Sequence, residues 1–196
     1  NKEAPGGVEM LPDNLEILNE AETPLPLGVI DKIDSEIETR LNARYLDLRK
    51  KSIAANFQIR AAVSGAVHKH LRKEKFLEVQ TPKIIASATE GGTSLFEMKY
   101  FDKTAYLAQS PQLYKQMLMS GGLERVYEIG PAFRAEEHNT PRHLNEFTSI
   151  DIEMSFADDD VVMGVMERLV DSAARAVAKE TEALETLGMA PIELEL

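Results

Sequence analysis

The chain has 196 residues, 43% of them hydrophobic, a formal net charge of −11 and no cysteine. That length holds one full domain and part of another around a sizeable core. The missing thiols exclude disulfides and thiolate metal sites and fit a reducing cytoplasm. An acidic chain gains nothing from non-specific attraction to nucleic acid, so an RNA partner would need a local basic patch or a grip outside these residues. No apolar run is long enough to span a bilayer.

Residues 1–28 read as extended and turn-rich. Ala4-Pro5-Gly6-Gly7 signals a turn, Val8 to Leu18 alternates loosely around Pro12-Asp13-Asn14, and Thr23-Pro24-Leu25-Pro26-Leu27 is a stiff linker. Ser35-Glu36-Ile37-Glu38 opens a short helix with Ser35 at its cap. Ser52 is the expected cap of a second helix, which runs to about Lys75. Ile59, Val63, Val67 and Leu71 give that helix one apolar stripe, with Phe57 and Ile53 a turn earlier. Phe76 to Ile85 turns extended, and Pro82 keeps it from a central ladder position.

Residues 94–108 alternate as a hairpin around Asp102-Lys103. Ser110-Pro111 starts a helix, serine capping and proline first in the turn, that runs to about Ser120 and stops at Gly121-Gly122. Two segments of period two then flank a short polar loop. In the first, Tyr127, Ile129, Phe133 and Ala135 share a face, and Glu128, Gly130, Arg134 and Glu136 share the other. In the second, Ile150, Ile152, Met154 and Phe156 oppose Phe147, Ser149, Asp151 and Glu153. A guanidinium, an imidazole, an exposed phenyl ring and several carboxylates on one sheet surface suit a nucleotide: charge for phosphate, a ring for the base. A last helix covers about Asp159 to Glu182, with a stripe of Val162, Val165, Met166, Leu169, Val170, Ala173 and Val177. Asp158, Asp159 and Asp160 read as its N-terminal cap rather than a metal site, and Ala190 to Leu196 begins another extended segment.

Residues 133–153, with Phe-Arg-Ala-Glu-Glu, Arg-His-Leu-Asn-Glu-Phe and Ser-Ile-Asp-Ile-Glu, resemble the second signature motif of class II aminoacyl-tRNA synthetases. Their wording is similar to the archaeal and eukaryotic type of aspartyl-tRNA synthetase. The helix, strand and proline over 52–85 resemble the first motif, which in the family forms much of a homodimer interface. The implied fold is α+β: over 29–196 the front part of a class II catalytic domain, a mostly antiparallel sheet flanked by helices. Over 1–28 the resemblance implies the tail of an anticodon-binding OB-fold barrel and its hinge. The implied activity is ATP-dependent attachment of L-aspartate to tRNA(Asp) through an aspartyl-adenylate, in the cytoplasm, with Mg2+.

The resemblance also implies roles. Arg134 is the catalytic cation at the α-phosphate and also meets aspartate. Ala135, Glu136, Arg142, His143, Leu144 and Phe147 complete the ATP site: Glu136 accepts from the adenine amino group, His143 lies on the γ-phosphate side and Phe147 stacks on adenine. Lys115 holds the side-chain carboxylate of aspartate with help from Ser110 and Gln112. Asp151 anchors that lysine and takes the substrate ammonium. Glu90, in the loop Ala88 to Thr93, belongs to a lid; Glu153 either hydrogen-bonds near the site or faces solvent. Gln109 to Gln116, Gln-Ser-Pro-Gln-Leu-Tyr-Lys-Gln, is the block that distinguishes aspartyl from asparaginyl and lysyl relatives. Nothing after Glu153 resembles the family's third motif, a Gly-rich strand–helix bearing an arginine. Its arginine, the acidic Mg2+ ligands and a second arginine for the aspartate side chain are therefore expected outside these residues, and no metal ligand is expected within them. Two rivals stand beside this reading. One is an asparaginyl-tRNA synthetase or a related amide-forming paralogue; the other is a non-catalytic dimerisation or binding module on the same fold.

Overall fold

A computed structural model describes residues 7–32, 34–86, 95–138, 140 and 143–190, and divides the chain into two units, Asn1–Ala54 and Ala55–Leu196. The Glu90 loop, Arg142 and the segment after Ala190 lie outside the described residues.

In the first unit, residues 8–29 contain neither helix nor strand, and Val8, Met10, Leu11, Leu15, Ile17 and Leu18 are exposed. Leu27 instead joins Ala43 and Leu46 in a small core, with Val29 packed against it. Two short helices, α1 (Ile37–Asn42) and α2 (Arg44–Asp47), follow. Ser35 does not cap α1; Glu36 holds that position without a side-chain bond. The Asp47 side chain is fully buried and is held by Arg40 at 3.1 Å, Lys50 at 3.8 Å and Arg44. The hydrogen bond from Arg40 keeps its carboxyl below the usual carboxylate range.

Helix α3 (Lys51–Lys73) has a cap that the sequence did not suggest. Ser52 sits inside its first turn, and the capping carboxylate is Asp31, which accepts from the amides of Lys51 and Ser52, each at 3.1 Å, and from the Ser52 hydroxyl. Further along, Val67 and Leu71 are buried as expected, whereas Phe57 is exposed. At about 100° per residue Phe57 lies roughly 200° round the helix from Ile59, off the stripe.

The second unit carries β1 (Leu77–Glu78), β2 (Ile84–Ile85), β3 (Glu97–Tyr100), β4 (Lys103–Leu107), α4 (Gln112–Ser120), β5 (Arg125–Phe133), β6 (Glu146–Met154), α5 (Asp159–Val177) and α6 (Thr181–Leu187). They form two three-stranded sheets, β1-β5-β6 and β2-β4-β3, antiparallel except for the β1–β5 pair. Pro82 falls between β1 and β2, where no ladder needs its amide. The amide of Phe133 donates to the carbonyl of Ala108 at 3.0 Å and so ties β5 to the segment leaving β4.

Several boundaries move. The hairpin turn is Phe101-Asp102, with Phe101 at φ 56. Pro111 occupies the cap position of α4, and the amide of Gln112 reaches the Ser110 hydroxyl at a long 3.4 Å. Asp158 caps α5 by accepting from the Val161 amide. The last helix is two helices, α5 ending at Val177 and α6 starting at Thr181, and α6 buries Ala183 and Leu184. Met166 and Val170 lie outside the buried stripe, and Phe156, at φ 55 in the turn after β6, is 98% exposed rather than part of the apolar strand face.

The core gathers Val67, Leu71, Phe76, Tyr127, Val165 and Leu169, with Val63, Ile129, Ile152 and Met154 packed on it. The Tyr127 ring is buried there while its hydroxyl donates to Glu78 at 3.0 Å; His68 Nδ1 lies 3.0 Å from the same hydroxyl and Arg72 2.8 Å from Glu78. Arg72, then Tyr127, holds the Glu78 carboxyl below its ordinary value, and burial pushes the Tyr127 hydroxyl up.

Two outcomes follow from this core. Leu71→Ala lowers the unfolding free energy by about 2–5 kcal/mol, the cost of a cavity at a fully buried leucine, as chemical denaturation measures. Glu78 has a depressed folded pKa, so its contribution is complete above the unfolded value and is lost as pH falls through the folded one. Thermal melts of Glu78→Gln are therefore to depend less on acidification than those of the native chain.

Candidate active site

β5 and β6 pair in one continuous register from Arg125↔Met154 to Phe133↔Glu146. Directly opposed residues share a face, so the register collects two sets. Tyr127 with Ile152 and Ile129 with Ile150 face the core side. Val126 with Glu153, Glu128 with Asp151, Gly130 with Ser149 and Ala132 with Phe147 form the other face. Of the faces expected from the alternation, the register shows Tyr127 and Ile129 opposite Ile152 and Ile150, and Glu128 and Gly130 opposite Asp151 and Ser149, whereas Arg134, Ala135, Glu136 and Phe156 lie beyond the paired strands.

On that second face Lys115 arrives from α4 and is 4% exposed. Its ammonium donates to Asp151 and to the carbonyl of Ile152, both at 3.2 Å, and lies 3.5 Å from Glu153. The Ser149 hydroxyl donates to the other oxygen of Asp151 at 2.6 Å. The expected Lys115–Asp151 pair is thus present, and Glu153 joins it rather than facing solvent. Gln112, one turn before Lys115, is half-buried at the start of the same helix.

Phe147 and Asp151 are four residues apart on β6, roughly 13 Å at the usual strand rise. Over Phe147 stands the Arg134 guanidinium, 5.4 Å from the ring centroid. β5 ends at Phe133, but the Arg134 amide still donates to the carbonyl of Asn145 at 2.9 Å, which extends the pairing by one rung. The Glu136 amide is held by the Arg134 carbonyl at 2.8 Å and by the Asn145 side chain at 3.1 Å. Ala135 is half-buried and Leu144 exposed. His143 is exposed in the loop; its Nδ1 is 2.6 Å from the Thr140 hydroxyl and its ring lies edge-on to His138.

The alternation did not reveal the buried ion pair beside these groups. Glu128 is 1% exposed and takes Lys83 at 2.8 Å, the Thr81 amide at 3.0 Å and the Thr81 hydroxyl at 2.7 Å. A side chain at Gly130 would meet Glu128 at 3.3 Å and the Lys83 arm at 3.5 Å, so the gap at that position leaves room for the lysine to cross the strand. The partners are more than forty residues apart, and the only hint was a glutamate two places before a glycine on a polar face. Asn145 and Thr140 were likewise not anticipated.

The large groove of the second unit, about 700 Å³ and lined by Lys73, Lys75, Leu77, Gly122 and Arg125, sits where β5 begins, at the far end of the strand from Arg134. Among the described residues no three His, Asp or Glu side chains gather as a metal site.

The family model of class II tRNA synthetases (D, K and N) matches residues 36–194. The chain belongs to that family. It is 60% identical over 189 residues to an aspartate–tRNA(Asp/Asn) ligase of Methanocorpusculum labreanum, covering 96% of this chain and 44% of that protein. It is 55% identical over 184 residues to an aspartate–tRNA(Asp) ligase of Thermoplasma acidophilum, covering 93% and 43%. The crystal structure of asparaginyl-tRNA synthetase from Pyrococcus horikoshii, complexed with asparaginyl-adenylate, matches with a TM-score of 0.85 at 33% identity over 94% of this chain and 42% of that one. The chain therefore spans less than half the length of the curated relatives it matches. The α+β architecture of antiparallel sheets flanked by helices is that of a class II synthetase.

In this synthetase chain the Lys115 ammonium is buried on that face between two partly buried carboxylates. Lys115→Met leaves Asp151 and Glu153 facing each other without their cation and lowers stability by about 3 kcal/mol, as the loss of one partner of a buried pair does. Adding Asp151→Asn is to recover much of that loss, which urea denaturation of the single and double variants measures.

Proposed function

We propose that this chain supplies the front part of the active site of an enzyme that joins L-aspartate to tRNA(Asp) at the expense of ATP. Class II synthetases in general use ATP and Mg2+. The observation that carries the reading is the exposed guanidinium of Arg134 standing over the Phe147 ring at the end of a paired strand. A ring for a base and a planar cation for phosphate are there held by one register.

In the proposed reaction an oxygen of the aspartate α-carboxylate attacks the α-phosphorus of ATP. The bond to the bridging oxygen breaks and pyrophosphate leaves, giving aspartyl-adenylate. The 3′-terminal hydroxyl of tRNA then takes the aspartyl group and AMP leaves. Negative charge grows on the α-phosphate in the first step, so a planar fork of N–H donors brought against it lowers the barrier more than it stabilises the bound substrate. Arg134 has that role. Phe147 offers a stacking face for adenine, and Glu136, fixed by its amide bonds, is the acceptor for the adenine amino group. Asp151 and Glu153 around Lys115 present an anionic rim for the substrate ammonium. Ser110, Gln112 and Lys115 form the amino-acid side of the face. Mg2+ would neutralise phosphate charge; no described cluster here holds it. Arg142 and Glu90 complete the proposed ATP site and lid.

We further propose that the 52–85 unit forms a homodimer interface and that residues 1–28 end an anticodon-binding domain. The asparaginyl reading keeps one specific support, the fit to the Pyrococcus horikoshii structure. Pyrophosphate exchange by the native protein containing this chain separates the two: exchange driven by aspartate supports the first, and exchange driven by asparagine overturns it. In the same assay Arg134→Ala costs about 3–4 kcal/mol in kcat/KM, and Arg134→Lys does not restore it because an ammonium lacks the planar fork.

A further inference from the structure

We propose that Ser149 is a positioning residue that fixes the plane of the Asp151 carboxylate for the ammonium of the amino-acid substrate, an inference that rests on the reading of Asp151 given above. The two residues are two apart on β6, and side chains at that spacing stand on one face of a strand. The register carries both onto the polar face, Ser149 opposite Gly130 and Asp151 opposite Glu128. The Ser149 hydroxyl meets Asp151 Oδ2 at 2.6 Å, and the Lys115 ammonium donates to Oδ1 at 3.2 Å. A carboxylate paired with an ammonium is an acceptor only, so the serine is the donor and its proton has one way to point. Among the described residues the hydroxyl makes no other hydrogen bond.

The two contacts have different consequences. The torsion that turns a carboxylate about its Cβ–Cγ bond is broad, so one contact leaves the plane free to swing. Held by Lys115 alone, Asp151 is free to turn both oxygens onto that cation, and its charge is then directed into the cluster. The serine takes the second oxygen with a neutral donor, which fixes the plane and leaves the negative charge in place. Two bonds occupy two of about four acceptor positions on the carboxylate, so each oxygen keeps a lone pair for a ligand. The Asp151 side chain is 20% exposed against 5% for Lys115, so the carboxylate is the member of the pair that a ligand reaches. The ligand chemistry is the ammonium that every α-amino acid carries. Ser149 therefore serves binding of the amino acid as such, rather than the choice between a carboxylate and an amide side chain.

The test is pyrophosphate exchange by the native protein containing this chain, with aspartate and ATP varied in turn. Ser149→Ala removes the hydroxyl with little change of shape. It is to raise KM for aspartate about tenfold, the low end for a hydrogen bond to a charged group, with kcat and KM for ATP nearly unchanged. Ser149→Thr keeps the hydroxyl and is to stay close to the native protein. Succinate, which is aspartate without its ammonium, is to compete with aspartate to the same extent in the native protein and in Ser149→Ala, because it brings nothing for Asp151 to receive. A native-like KM for aspartate in Ser149→Ala overturns the proposal. So does an equal rise in KM for ATP or a matching loss of succinate inhibition, which general damage to the strand would produce. Asp151→Asn separates this failure from that of the site reading. If it too leaves KM for aspartate native-like, Asp151 does not take the ammonium and that reading fails; if it raises KM while Ser149→Ala does not, only the role of Ser149 falls.

Discussion

The β5–β6 register is the constraint on which the site depends. Side chains alternate along a strand, so a slip of one residue would turn Tyr127 out of the core and carry Asp151 and Phe147 into it. Burial of Tyr127 and its packing against Ile152, Val67 and Leu71 fix that register from the apolar side. The polar side inherits the result. Phe147 meets the strand end where Arg134 emerges, and Asp151 and Glu153 arrive together beneath Lys115. A register set by packing in the core thus places Glu128, Asp151 and Glu153 on the other face.

Buried charges are paired within each unit of this chain, whose net charge is −11. The buried cations Lys115 and Lys50 and the buried anions Asp47 and Glu128 all have partners within the structure. Desolvating an ion is expensive unless it is paired and hydrogen-bonded, and each of these centres has more than one polar contact. Arg134 and His143 are different in kind, because both are exposed. The division makes physical sense for a site that must hold one substrate by fixed geometry and lower a barrier with a group able to follow moving charge.

Local pattern foretold the elements well wherever one face was buried. The alternation of 125–154, the stripe through Val67 and Leu71, the stop at Gly121 and the cap at Asp158 all follow from neighbours in the chain. What the pattern could not contain were choices made at long range. Ser52 looks like a cap, but Asp31, twenty-one residues upstream, supplies the carboxylate. Phe156 continues the alternation on paper, yet the strand ends at Met154 and the chain turns through a positive φ. Lys83 and Glu128 find each other only once β1 lies beside β5. The site divides the same way. Arg134, Phe147 and Asp151 share a hairpin and were legible as one surface, whereas pairing Lys115 with Asp151 required the resemblance to a family, since no spacing rule links a helix to a strand thirty-six residues later.

The charge of the Lys115 cluster narrows how an amino acid can be recognised there. One ammonium and two carboxylates leave the described group with a formal charge of −1. A substrate ammonium gains from that excess, while a substrate carboxylate meets two acids against one lysine and is repelled on balance. Lys115 already directs hydrogen bonds to Asp151 and to the Ile152 carbonyl and lies 3.5 Å from Glu153, so its three donors face groups of the chain itself. An amino acid with two carboxylates therefore needs further cations at this face, and Arg134 is one exposed candidate for its α-carboxylate. That arginine stands over Phe147, a contact of about 0.5–1 kcal/mol at an exposed site, whereas a base stacked on such a ring contributes about 1–3 kcal/mol. In the proposed reaction adenine outcompetes the guanidinium for the ring. Nucleotide binding then frees Arg134 to meet the carboxylate and phosphate oxygens whose joining it is proposed to assist.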